Sequence, residues 1–290
     1  MKFKDSFHVY AIITIVFWSL AYVLTRLALK HFSAYPLGFL RYFVASCALI
    51  VIVATAKIKP PKKSDAKWFI LTGATGFFLF MLTFNKGCET ATASTSSIVI
   101  ATSPIITALM AHFMYQERLK GFQWAATLIS FSGVVVLTIF NGIFTVDRGL
   151  IWLLSAAISL SLYNLLQRKL TKTYSALQTS AYSIFSGTIM LSVFLPASVA
   201  EVKSAPAIQL LYIAILGIFS SAIAYVSWSK ALSKAKYTSS VSNYMFVTPF
   251  LATLLGFLLA GETPDFSTIL GGIIILSGLL IFNFAGRSST

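Results

Sequence analysis

Eight carboxylates and 22 lysines and arginines are the groups with which this chain could move protons or hold charged solutes. All eight acids, Asp5, Asp65, Glu89, Glu117, Asp147, Glu201, Glu262 and Asp265, fall between apolar runs or at their ends. A proton relay inside a membrane calls for a carboxyl whose pKa burial raises toward neutrality. None is evident, so facilitated movement or exchange stays open, with the proton kept as a candidate coupling ion. Among the cations, Arg41 is the deepest, about two turns inside an apolar run. An always-charged guanidinium at that depth must snorkel, pair or face water, and snorkelling and cavity lining are equal readings. Cys47, Cys88, His8, His31 and His112 are too scattered for a metal site, and no cofactor is implied.

The remaining candidates are neutral. Trp18 and Tyr22, with Ser19, lie in one apolar run; Tyr163 and Asn164, with Ser161 and Gln167, lie in another. Ser97 closes a Ser94–Ser97 polar cluster, and Asn243 and Tyr244 end a similar one, while Tyr225 and Trp228 sit one turn apart. Small hydroxyls also glue helices together, but an amide facing lipid is costly. Aromatic walls with scattered amides suit a small amphipathic or zwitterionic solute, whereas a phosphate would want several inward cations. Pro104 and Pro249 interrupt apolar runs. Each withdraws one helical hydrogen bond, at the carbonyls of Ile100 and Met245, and is expected to kink its helix. Paired kinks can serve as pivots or can merely shape a cavity.

These residues need a scaffold, and composition limits it. The 290 residues are 57% hydrophobic and 10% charged, with mean hydropathy +0.84, against about 25% charged in soluble domains. A polytopic membrane protein follows. Apolar runs near the roughly 20 residues needed to cross hydrocarbon fall at 8–29, 35–56, 67–86, 93–115, 121–141, 149–169, 175–197, 206–229, 238–260 and 266–286, giving an all-α chain of ten spans. The first run offers no small-x-small cleavage site and is expected to stay. Net charge of +14 would raise nucleic acid as a partner, but the cations sit in short loops, where lipid headgroups are the counterpart. Alternating the spans puts 16 cations on the side of both termini and 6 on the other, so both termini are expected in the cytoplasm and the protein in the cell (inner) membrane. Oligomeric state is not encoded in these features.

The second half echoes the first. SLAYVLTRL around Arg26 recurs as SLSLYNLLQRKL around Arg168. Pro104, Glu117 and Ser132-Gly133 recur as Pro249, Glu262 and Ser277-Gly278, all at one common offset. Residues 1–142 and 143–290 therefore read as five-span repeats. Five is odd, so the second enters the membrane inverted, an arrangement found in secondary transporters. Glu117 and Glu262 close matching spans and read as helix caps or loop partners; Arg26, Arg168, Lys86 and Lys230 read as interfacial anchors.

FWSLAYVLTRLAL, YPLGFLRYFVAS, TSSIVIATSPIITALMAHFMYQERL, LGIFSSAIAYVSWSKAL, SSVSNYMFVTPFLATLLGFLLAGETP and LGGIIILSGLLI together resemble the drug/metabolite transporter superfamily, and within it the ten-span EamA-type exporters. The resemblance spans the chain. It implies ten helices around a central cavity and export of an amino acid or another small metabolite, a role for which alternating access through a neutral cavity is the expected mechanism. An exporter of cationic or aromatic drugs is the alternative substrate reading. An intramembrane enzyme would need an Asp/Glu/His cluster that the chain does not offer.

Overall fold

A computed structural model describes residues 7–115, 120–139, 148–234, 241 and 243–284. The described residues form helices joined by short turns: α1 (Phe7–Ala28), α2 (Ala34–Thr55), α3 (Ala66–Gly73), α4 (Phe80–Cys88), α5 (Ala93–Ile100), α6 (Ser103–Tyr115), α7 (Gly121–Ile139), α8 (Arg148–Leu170), α9 (Ala176–Leu191), α10 (Leu195–Lys203), α11 (Ala207–Gly217), α12 (Ala224–Lys234), α13 (Thr248–Ala260) and α14 (Phe266–Phe284). Among the described residues seven helical stretches are long and apolar enough to cross a membrane, and Gly121–Val136, Thr248–Ala260 and Phe266–Phe282 are shorter apolar helices at the places of the fifth, ninth and tenth expected spans. Helix starts follow local chemistry. Thr92 accepts the Thr95 amide at the head of α5, Ser175 and Gln178 form a reciprocal capping box on α9, and Asp265 accepts the Thr268 amide at 2.7 Å on α14.

Two features depart from smooth spans. α3 and α4 are joined by a π-helical segment, Ala74–Leu79, and α11 and α12 by another, Ile218–Ile223, at the repeat-related place in the second half. At Pro104 and Pro249, where kinks are expected, the regular α-helical pattern is interrupted. α5 stops at Ile100 and α6 restarts at Ser103, while a 3-10 turn, Asn243–Val247, precedes α13. Each proline thus becomes the second residue of a new helix, where its missing N–H costs nothing. The carbonyl of Ile100, which Pro104 cannot serve, accepts the Ser103 hydroxyl at 2.6 Å.

Close helix approaches recur in the same pairs. A Cβ on Gly133 would stand 2.8 Å from the Gly271 carbonyl and 2.7 Å from the Ile275 side chain, and one on Gly278 would stand 2.7 Å from the Ala126 carbonyl and overlap the Ser130 hydroxyl. The two sets of neighbours are each other's repeat images, so α7 and α14 pack as mirror partners through glycine. Gly73 meets Ser186 of α9, and its repeat image Gly217 meets Val44 of α2, itself the image of Ser186. Packing this close, rather than a hydrophobic drive, holds helices together where lipid is as apolar as the side chains.

Candidate functional site

A central cavity of about 50 Å³ lies among seven of these helices, room for only a few waters. α1 presents Trp18, Ala21 and Tyr22 to it, α4 presents Phe80 and Phe84, and α5 presents Ser97 and Ile100, all at one-turn spacing, with Ala101 just past the end of α5. Leu160, Tyr225, Met245 and Thr248 complete the far wall. The rings interlock edge-on: Tyr22 and Phe84 centroids are 5.5 Å apart, and Trp18 and Tyr225 are 5.3 Å apart. Met245, in the 3-10 turn before Pro249, and Thr248, at the head of α13, both face this space. The Thr248 hydroxyl is buried there without a hydrogen-bond partner.

Arg41 is the charged residue in the lining. It is 4% exposed, so the snorkelling reading gives way to cavity lining. Its Nε donates to Ser221 Oγ at 2.7 Å, within the second π segment, and its guanidinium carbon stands 5.7 Å from the Tyr42 ring. Gly217 makes this possible. With no Cβ there, the Arg41 carbonyl approaches to within 2.9 Å of the space a side chain would fill, which brings Ser221, one turn on, against the arginine.

Of the residues expected at the site, Trp18, Tyr22, Arg41, Ser97 and Tyr225 line the cavity. Trp228 stands behind it, 5.1 Å from Trp18. Tyr163 is buried at its edge, 5.2 Å from Phe77, its ring filling the place a Gly76 side chain would take. Asn164 is half-buried outside the lining. Tyr244 lies at the lysine-rich end, where its hydroxyl meets His8 Nδ1 at 2.5 Å. The Asn243 side chain lies outside the described residues. Phe80, Phe84, Leu160 and Met245 are lining residues that polarity did not single out, and Thr248 is a further hydroxyl among the many that the chain carries.

One turn beyond Tyr22 on α1 and one turn before Ser97 on α5, the cavity's end is tied across the molecule. Arg26 Nε donates to Glu262 Oε1 at 3.0 Å, and Glu262 Oε2 accepts the Ala93 amide at 2.8 Å. Arg26 Nη1 also donates to the carbonyls of Cys88, at 2.7 Å, and Glu89, at 3.0 Å. Arg26 is therefore not a simple interfacial anchor, because a carboxylate and two carbonyls hold it inward. Outside this tie opens a vestibule of about 300 Å³ lined by Lys30, Glu89 and Leu29 among others. At the opposite end Lys169 lies 3.4 Å over Trp68 and Lys230 lies 5.0 Å from Tyr10, the aromatic–cation pairing of a membrane interface. Glu117, the repeat mate of Glu262, lies outside the described residues. Among the described residues no group of histidine, cysteine and acidic side chains could hold a metal.

The sequence matches the EamA-like transporter family twice, over residues 6–139 and 147–284. It is 28% identical to a probable terminal-alkyne amino-acid exporter of Streptantibioticus cattleyicolor, over 94% of this chain and 91% of that one. It is 24% identical to an S-adenosylmethionine uptake transporter of Rickettsia prowazekii, over 96% of this chain and 92% of the relative. A solved crystal structure superposes with a TM-score of 0.65 at 18% identity, covering 97% of both chains, which speaks to fold alone. The relatives are transporters and not enzymes, and the two names run in opposite directions across the membrane.

Proposed function

The chain belongs to the EamA-like transporter family, and from that premise we propose that it carries a small amphipathic metabolite, an amino acid or a close relative of one, out of the cell by alternating access. The observation that carries this reading is the aromatic-walled central cavity with a sealed end. Trp18, Tyr22, Phe84 and Tyr225 offer faces to an apolar side chain, while Arg41, Ser97 and Thr248 offer polar contacts. Matching helix bounds, π segments and glycine contacts in residues 1–142 and 143–290 support two halves of inverted orientation. With loop cations as guide, both termini lie in the cytoplasm of the cell membrane, and the Arg26–Glu262 tie closes the outer mouth. Pro104 and Pro249, heading the restarted helices, act as the hinges.

A cation in the lining, with no carboxylate there among the described residues, disfavours the drug-export alternative for cationic compounds. The test is counterflow into sealed proteoliposomes with a mixed amino-acid pool, read by mass spectrometry with and without a pH gradient. Exchange of unaltered amino acids is the expected result. Exchange confined to cationic drugs would replace the substrate reading, and absence of all exchange would remove it.

A further inference from the structure

We propose that Arg41 is the anchor for a carboxylate on the transported solute, so that the substrate class is aromatic or aliphatic monocarboxylates, amino acids included. The inference rests on the transport reading for the cavity's role and adds the group that the cavity recognises.

The argument begins from an unbalanced charge. Arg41 is nearly fully buried, and arginine does not lose its proton in proteins. A buried cation is normally paired. Yet among the described residues the ion pairs are Arg26 with Glu262 and Lys86 with Glu89, and none of those that line the cavity is an acid. Among the described residues the hydrogen bond of the guanidinium is the one from Nε to Ser221. That bond fixes the plane of the group and leaves the two terminal nitrogens as a fork, the geometry that receives a carboxylate through two parallel N–H···O bonds.

The second observation is that this charge has no structural image. Helix α2 starts at Ala34 and its repeat image α9 at Ala176, so counting along the two helices makes Ser183 the mate of Arg41. Ser183 bonds the Thr72 hydroxyl at 2.7 Å and is fully buried. The two π segments start at Ala74 and Ile218, which makes Phe77, a core ring, the mate of Ser221. Gly73 and Gly217 show that both crossings are equally tight, so packing needs no arginine here. The scaffold works with serine in one half and carries a cation in the other.

A third observation places a further open polar group in the same space. The buried Thr248 hydroxyl lacks a partner and lines the cavity. A solute whose carboxylate meets Arg41 can engage it. Its apolar part would lie between Trp18, Tyr22, Phe84 and Tyr225, and an α-ammonium, if present, has ring faces rather than an acid to rest on. With only about 50 Å³ free, entry requires the helices to part, so the bound carboxylate would be desolvated on closure.

The test compares pairs that differ at the acid alone, on the purified full-length protein in nanodiscs by equilibrium dialysis. The probes are L-phenylalanine against L-phenylalaninamide, and 3-phenylpropanoate against 3-phenylpropanamide. The acids are expected to bind at least tenfold more tightly than the amides, with Arg41→Gln bringing both ratios near one and Arg41→Lys retaining part of them. Equal binding of acid and amide by the unmodified protein, no binding of either acid, or discrimination surviving in Arg41→Gln would each overturn the proposal. If Arg41→Gln does not fold, the ratios of the unmodified protein decide alone. Counterflow of the same probes separates this site from the transport reading. An acid that binds selectively but is never exchanged leaves the site and removes transport; amides exchanged as well as acids leave transport and remove the site.

Discussion

Arg26 and Glu262 lie 236 residues apart and meet at 3.0 Å, with side chains 25% and 16% exposed. One belongs to the first family match, residues 6–139, and the other to the second, residues 147–284, so the ion pair is a bond between the two. Glu262 also holds the first amide of α5, which joins α1, α5 and the end of α13 at a single point.

Weakening that point should open the mouth it closes. A half-buried pair of this kind contributes about 1–2 kcal/mol, a factor of about 5–30 in the ratio of closed to open molecules. Glu262→Gln is therefore expected to speed labelling of a cysteine placed at Ala21 by an impermeant thiol reagent, in a background with Cys47 and Cys88 replaced by serine. An unchanged labelling rate would mean that the pair does not govern access.

Glycine contacts between α7 and α14 yield a sharper stability contrast. A methyl at Gly278 would overlap Ser130 Oγ and fall 2.7 Å from a backbone carbonyl, so the helices must separate. Gly278→Ala is expected to cost about 1–3 kcal/mol, read as a lowered Tm in detergent. Gly121→Ala has nothing within 4 Å of the new methyl and should change stability by no more than about 0.5 kcal/mol.

Pro104→Ala restores a backbone donor where α5 and α6 part. A continuous helix becomes available, although Ser103 already occupies the Ile100 carbonyl. The expected outcome is a Tm that holds or rises while the counterflow rate falls severalfold. An unchanged rate would remove this proline from the hinge.

Asp265 connects stability to pH. Its burial pushes the carboxyl upward, but hydrogen bonds from Thr268 and Ser267 outweigh that and hold it below the usual carboxylate range. A lowered folded pKa means that its stabilisation is complete above the ordinary value of about 3.9 and is lost as pH falls through the folded value. Asp265→Asn should keep the α14 cap yet flatten that acid-side loss, whereas Asp265→Ala should cost about 1 kcal/mol at neutral pH. Thermal melts between pH 3 and 7 distinguish the three proteins.

Helix ends were legible in the sequence because caps, loop charges and run lengths are local. α7 and α14 begin at the residues expected for the fifth and tenth spans. The π segments, ATGFFL and IFSSAI, were not legible, since an extra residue per turn over six residues leaves no distinct periodicity in the sequence. The cavity was half legible. Trp18, Tyr22, Arg41, Ser97 and Tyr225 stand out by type, but Phe80, Phe84 and Leu160 look the same whether they face lipid, core or substrate. Asn164 stands out by type as well, yet it lies half-buried on α8 outside the lining, since residue type alone does not fix which way a helix face turns. Arg26 and Glu262 were visible as repeat-matched charges, while their meeting depends on how α1 and α13 pack, which no local pattern records.

Any protein that passes solutes through a membrane is also a place where the cell's voltage and proton gradient can drain away. A central space of about 50 Å³, in which one guanidinium and the Ser97 and Thr248 hydroxyls stand among rings and aliphatic carbons, has room for a few waters and not for a continuous thread across the membrane. In this closed form the molecule is expected to be a poor path for ions, so that solute passage need not come with loss of the membrane gradient.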